Sequence, residues 1–151
     1  FGGGMALAMA CDLRLAADDA RLCIPAAKLG IGYGYEGTAV LVAKLGAALA
    51  TEMLFTARVY SAHEALLTGL IHALAPTADF EKFADGYTAT LAANAPLSIK
   101  AAKSVIRAIV SGDADERRAA AQRVADCMAS EDYREGRTAF LEKRKPRFRG
   151  A

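Results

Sequence analysis

The residues best placed for chemistry in this chain include three that carry no side chain. Phe1 Gly2 Gly3 Gly4 runs straight into Met5 Ala6 Leu7 Ala8 Met9 Ala10, a stretch of strong helix formers, so the pattern predicts a loop-to-helix junction. Glycine lets a ligand approach the backbone closely, and the first N–H groups of a helix have no intrahelical acceptor. Such a start can hold a partial negative charge, although three glycines are also compatible with a plain packing turn. A second stretch, within residues 26–36, holds Gly30, Gly32 and Gly34 with Tyr33, Tyr35 and Glu36. It is too rich in glycine for a regular element and reads as a surface loop close to a ligand. Its Gly-x-Gly-x-Gly spacing lacks the strand and helix context of a dinucleotide site, and no Gly-Lys-Ser/Thr accompanies it. His63 and His72 have no Ser or Cys arrangement suggesting a triad, and no metal-ligand spacing occurs, so no metal is expected.

Several elements must position these residues. Residues 12–17 alternate as a short strand, closed by the turn signal Asp18 Asp19, and residues 21–24 read as a second strand stopped by Pro25. Apolar residues at helical spacing predict helices over 37–45 and 47–56, broken at Gly46. Ser61 with Glu64 three residues on forms a capping box opening a short helix that Gly69 closes, with His63 on its solvent face. A strand over 70–75, carrying His72, ends at Pro76. Beyond it about four helices follow, with breaks at 94–96, 111–113 and near Ser130. The domain boundary is therefore placed at residues 75/76.

The chain has 151 residues, an apolar fraction of 54% and a formal net charge of +2, which fits one domain with a real core and argues neither for nor against a polyanionic partner. Apolar runs are cut by Gly, Lys or Asp before about 18 residues, so neither a membrane span nor a secretion signal is expected. Cys11, Cys23 and Cys127 lack paired spacing and read as reduced, small buried residues of a cytoplasmic protein. Basic residues cluster over 134–149 without the aromatic interleaving of a nucleic-acid surface, so no nucleic acid is expected as a partner.

Three small residues, four spacers and then Met9 Ala10 Cys11 Asp12 Leu13 resemble the signature of the crotonase (enoyl-CoA hydratase/isomerase) superfamily. The resemblance continues through Ile24 Pro25 Ala26 Ala27 Lys28 Leu29 Gly30 Ile31, Leu54 Phe55 Thr56 Ala57 Arg58, Ser61 Ala62 His63 Glu64 Ala65 and Gly69 Leu70 Ile71. It ends at Phe140 Leu141 Glu142 Lys143 Arg144 Lys145 Pro146 and so covers essentially the whole chain. It implies an α/β fold: residues 1–75 as the closing turns of a β-β-α spiral, and 76–151 as a helical region that assembles trimers or hexamers and contacts CoA. Family members are longer, so this sequence is expected to correspond to their C-terminal part.

The resemblance also implies roles. The family stabilises the enolate or oxyanion of an acyl-CoA thioester with two backbone N–H groups, of which the second matches Gly3, flanked by Gly2 and Gly4. No cofactor is implied beyond the CoA that the substrate carries. The two glutamates that hydrate enoyl thioesters fall at Ala6 and Ala26, where no proton acceptor stands. Tyr33 matches a tyrosine of methylmalonyl-CoA decarboxylase-like members and could serve a decarboxylating lyase. Glu36 stands near a catalytic acid of other relatives, or caps the following helix. Pro25, Leu29, Gly34 and Tyr35 are implied to line the acyl-CoA, and Phe140 and Lys143, one helical turn apart, to contact its CoA end. A pseudoenzyme that binds acyl-CoA without turnover is the alternative from another class.

Overall fold

The first helix, α1 (Gly2–Ala10), starts in the glycine run itself. Gly2 takes φ 53°, a left-handed backbone that strains any residue with a side chain, and the chain coils from there. Met5 and Met9, one turn apart, form the face that α1 buries. The computed structural model describes residues Phe1–Ala151 and divides them into two compact units, Phe1–Ala84 and Asp85–Ala151.

In the first unit the strands are short. β1 (Leu15–Ala17) pairs in parallel with β4 (Ala73–Ala75), and β2 (Arg21–Leu22) pairs antiparallel with β3 (Tyr60–Ser61). The strands expected over 12–17, 21–24 and 70–75 therefore lose their outer residues. The reason is visible beside β1: the Arg14 N–H donates to His72 Nδ1, while its carbonyl accepts from the His72 N–H. A side chain occupies what would be a ladder position, and His72 precedes the strand rather than lying in it. Residues Ala26–Leu29, read from sequence as loop, form one 3-10 turn closed by Gly30 at φ 66°. The rest of that stretch, through Gly34, is irregular.

α2 (Tyr35–Thr56) is 22 residues long and breaks at Gly46, which sits at φ 79°, ψ 160°. By length and composition it is apolar enough to cross a membrane, but the break leaves two pieces of about 11 residues. Each spans ~16 Å, about half of a ~30 Å hydrocarbon core. α3 (Ala62–Leu67) opens on the expected capping box: Ser61 Oγ accepts from the Glu64 N–H, and Glu64 accepts from the Ser61 N–H at 2.8 Å. Met5, Met9, Ile24, Leu41, Met53, Tyr60 and Leu70 are nearly inaccessible and form one core that joins α1, α2 and the strands. A second 3-10 turn, Thr77–Asp79, follows Pro76 but belongs to this unit, because Thr77 N–H and Oγ1 both donate to Asp18 Oδ1. The division between the two compact units falls within α4 (Phe80–Ala93), after Ala84.

The second unit holds the end of α4, then α5 (Pro96–Ser111), α6 (Ala114–Ala129) and α7 (Glu131–Leu141). Each start has a stated cause. Pro96 opens α5 at the position where a missing N–H costs nothing, Asp113 accepts from two amides of α6, and Ser130 accepts from the Tyr133 N–H of α7. α5 and α6 pack as a hairpin through alanines, with Ala101, Ala108 and Ala120 buried.

Candidate functional site

The glycine junction distributes its amides unequally. The Gly2 N–H donates to the Cys23 carbonyl at 3.2 Å and the Gly4 N–H donates to Phe1 at 3.1 Å. The Gly3 N–H donates to no protein carbonyl, and Gly3 is exposed. Of the three candidates, Gly2 and Gly4 are thus committed to structure and Gly3 offers a donor at a helix start, where the dipole favours negative charge. The Gly2 bond to Cys23 also ties this junction to the Pro25 turn, so the two segments that carry Gly3 and Ala26 are neighbours. No side chain crowds the three glycines, as a Cβ on any of them would meet nothing within 4 Å.

Around this junction the glycine-tyrosine segment divides into buried and open members. Tyr33 is half-buried and packs on the core of the first unit. Its ring lies directly on Gly37 in the first turn of α2, where a Cβ would come within 2.7 Å of the ring. Tyr35, 84% exposed, and Leu29, 64% exposed, leave large apolar surfaces open, and Pro25 and Gly34 sit at the starts of the 3-10 turn and of α2. Glu36 is exposed in the first turn of α2 but makes no capping hydrogen bond, because the N-cap position is filled by Gly34. Its expected role as a cap is therefore corrected to a favourable charge near the helix start.

Neither hydratase position carries an acid: Ala6 is exposed on α1, and Ala26 is buried in the 3-10 turn. Sequence reasoning missed Arg14, which is buried, donating through Nε to the Leu70 carbonyl at 2.6 Å and through a terminal nitrogen to Cys11 at 2.9 Å. It holds the end of α1 against the strand region, and burial pushes its pKa below the ordinary arginine value. Arg58 was missed as well: it bridges Glu52 and Glu64 at 2.7 Å each and lies over the Tyr60 ring at 3.7 Å. Backbone donation from Ser61, then Arg58, brings the Glu64 carboxyl down to about 2. Of the cysteines, only Cys23 fits the buried reading; Cys11 is exposed and Cys127 half-exposed, since both lie on outward helix or helix-end positions.

Phe140 and Lys143 belong to the second unit. Phe140 is 83% exposed at the end of α7, whereas Lys143 lies past the helix at φ 55°. The expectation that one helical turn aligns the two fails, because α7 ends at Leu141 and the chain reverses through a left-handed residue. The tail then folds back on α7. Arg144 pairs with both Glu135 oxygens, the Arg147 N–H donates to Glu135, and the Arg149 and Gly150 N–H groups donate to the buried Asp132 carboxylate at 2.7 and 2.8 Å. A cavity of about 860 Å³ lies among these residues, but Arg144 is paired with Glu135 and Asp132 with the tail amides, which makes it a clamp on the tail. The basic stretch read as a solvated tail is in part neutralised this way.

The sequence profile of the enoyl-CoA hydratase/isomerase family matches residues 1–151. The chain belongs to that family. This crotonase-type chain is 34% identical to the short-chain-enoyl-CoA hydratase of Clostridium acetobutylicum over 96% of its own length and 56% of that protein. Among solved structures it resembles an enoyl-CoA hydratase/isomerase family protein from Hyphomonas neptunium, with TM-score 0.89, 36% identity, and 99% and 57% of the two chains covered. It also resembles an enoyl-CoA hydratase from Bacillus anthracis, with TM-score 0.88, 33% identity, and 99% and 58% covered. The crotonase-like α/β fold expected from sequence is thereby established, and the chain spans somewhat over half the length of these relatives.

Proposed function

We propose that the full-length protein bearing this chain binds an acyl-CoA thioester and stabilises its enolate or oxyanion through the Gly3 N–H, without the two hydratase glutamates. The observation that supports this most is the division of labour at the junction: Gly2 and Gly4 are bonded to carbonyls and Gly3 is not. A preorganised donor of this kind is worth on the order of 3 kcal/mol in a transition state that develops negative charge on oxygen. Gly2, Gly4, Pro25, Leu29, Gly34 and Tyr35 form the surroundings of the acyl-CoA, and Phe140 and Lys143 contact its CoA end.

Within this reading, a decarboxylating lyase is favoured by Ala6 and Ala26 together with Tyr33. Breaking the bond between the α carbon and the carboxylate releases carbon dioxide and moves its electron pair into the thioester enolate, so no strong base is required; a proton must then return to the α carbon. Tyr33 hydrogen-bonds the departing carboxylate or supplies that proton, and Glu36 is a further candidate acid. The test is turnover of malonyl-CoA and methylmalonyl-CoA by the full-length protein, with acyl-CoA binding measured in parallel. Carbon dioxide release that falls tenfold or more in Tyr33→Phe, with binding kept, supports the lyase. Binding without any turnover identifies a pseudoenzyme. Assembly as a homotrimer or hexamer in the cytoplasm completes the proposal, and light scattering showing a stable monomer at micromolar concentration would count against it.

A further inference from the structure

We infer that Gly37 is the positioning residue for Tyr33, an inference that rests on the proposed role of that tyrosine. Gly37 lies in the first turn of α2, four residues after Tyr33, and its backbone is the surface on which the phenol ring lies. A Cβ built there stands 2.7 Å from Cε1, 3.1 Å from Cζ and 3.2 Å from the hydroxyl oxygen of Tyr33. The crowding is worst against the ring and reaches the reacting end of the side chain. The three heavy atoms nearest to that Cβ all belong to Tyr33, so a methyl group at this position presses first on its ring.

The glycine is not there for its backbone. Gly37 does not take a left-handed conformation, unlike Gly30 and Gly46, so the helix itself would accept alanine and would be better formed with it. A helix that forgoes a better helix former at a position where a Cβ would meet the phenol ties this glycine to the ring's position. Tyr33 packs on the core through its ring, which leaves Gly37 to set how far the hydroxyl lies from the start of α2.

The proposal is tested in paired backgrounds, because Gly37→Ala both moves the hydroxyl and disturbs the packing of the ring on the core. In the full-length protein, with malonyl-CoA and methylmalonyl-CoA as probes, Gly37→Ala is expected to lower kcat about tenfold with KM little changed. In a Tyr33→Phe background, which keeps the ring and lacks the hydroxyl, the same change is expected to alter the residual kcat less than twofold. Equal losses in both backgrounds, or an unaltered kcat in Gly37→Ala, overturn the role of Gly37 and leave Tyr33 in place. Unchanged turnover in Tyr33→Phe alone, or no turnover in the unsubstituted protein, removes the reading of Tyr33 and this inference with it.

Discussion

The two units of this chain are held together by different means. The first encloses large apolar side chains, with Tyr60, Leu41 and Leu70 inaccessible and Met53 and Ile24 nearly so, and the buried Arg14 bonds to the Leu70 carbonyl beside them. In the second, the buried apolar residues are all alanines, Ala101, Ala108, Ala120 and Ala139, while Ile106, Ile109, Val110, Phe140 and Leu141 are exposed. Its most buried polar residue, Asp132, binds backbone amides of the returning tail. Burial fixes the first unit, which carries the glycine junction proposed to hold the thioester oxyanion. Hydrogen-bonded clamps and close helix packing fix the second, whose uncovered aliphatic side chains suit the subunit contacts proposed for it.

That contrast sets the order of the effects expected from substitution. Leu70→Ala opens a cavity in a core with no room to collapse and should cost about 2–5 kcal/mol, read by denaturant unfolding. Asp132→Ala should cost about 1–3 kcal/mol, since it leaves the Arg149 and Gly150 amides without their acceptor. Hydrogen exchange should then accelerate at the tail and not in the core around Met5 and Leu41. An equal acceleration in both would erase the distinction between the units. Smaller still, Arg118→Ala removes an exposed pair with Asp115 on α6 and should stay within ~0.5 kcal/mol.

Acid provides a comparison of the units in one experiment. Glu64 in the first and Glu135 in the second are both held down to about 2, Glu64 chiefly by the Ser61 N–H and Glu135 chiefly by Arg144 and then the Arg147 N–H. Because the folded values lie below the ordinary 4.5, the unfolded chain binds protons first as pH falls. Their contribution is complete above about pH 4.5 and is lost as the pH drops towards 2. Glu64→Gln should flatten the acid limb of stability for the first unit, and Glu135→Gln should release the tail at all pH values. An unchanged acid limb in Glu64→Gln would remove Glu64 from this account.

Much of this architecture was legible in the sequence where the cause is local. The break at Gly46, the box of Ser61 and Glu64, and the starts at Pro96 and Asp113 each follow from a few neighbouring residues. What was illegible depends on distant partners. β3 is two residues long and exists only because Arg21 and Leu22 pair with it; Arg14 is buried through carbonyls that include one 56 positions away. The tail's reversal at Lys143 follows from acids on α7 that look like ordinary surface charges. At the site, the glycine junction and Tyr33 were legible as candidates, but the commitment of Gly2 and Gly4 and the seat of Tyr33 on Gly37 required coordinates.

The central claim is thioester chemistry without a glutamate pair, and it is tested most directly by giving the full-length protein crotonyl-CoA and methylmalonyl-CoA under identical conditions. Carbon dioxide release from methylmalonyl-CoA with negligible hydration of crotonyl-CoA is the expected result, because Ala6 and Ala26 can neither hold nor deprotonate a water. Hydration at the rate of a true enoyl-CoA hydratase would contradict it and would mean that other residues supply the acid and base.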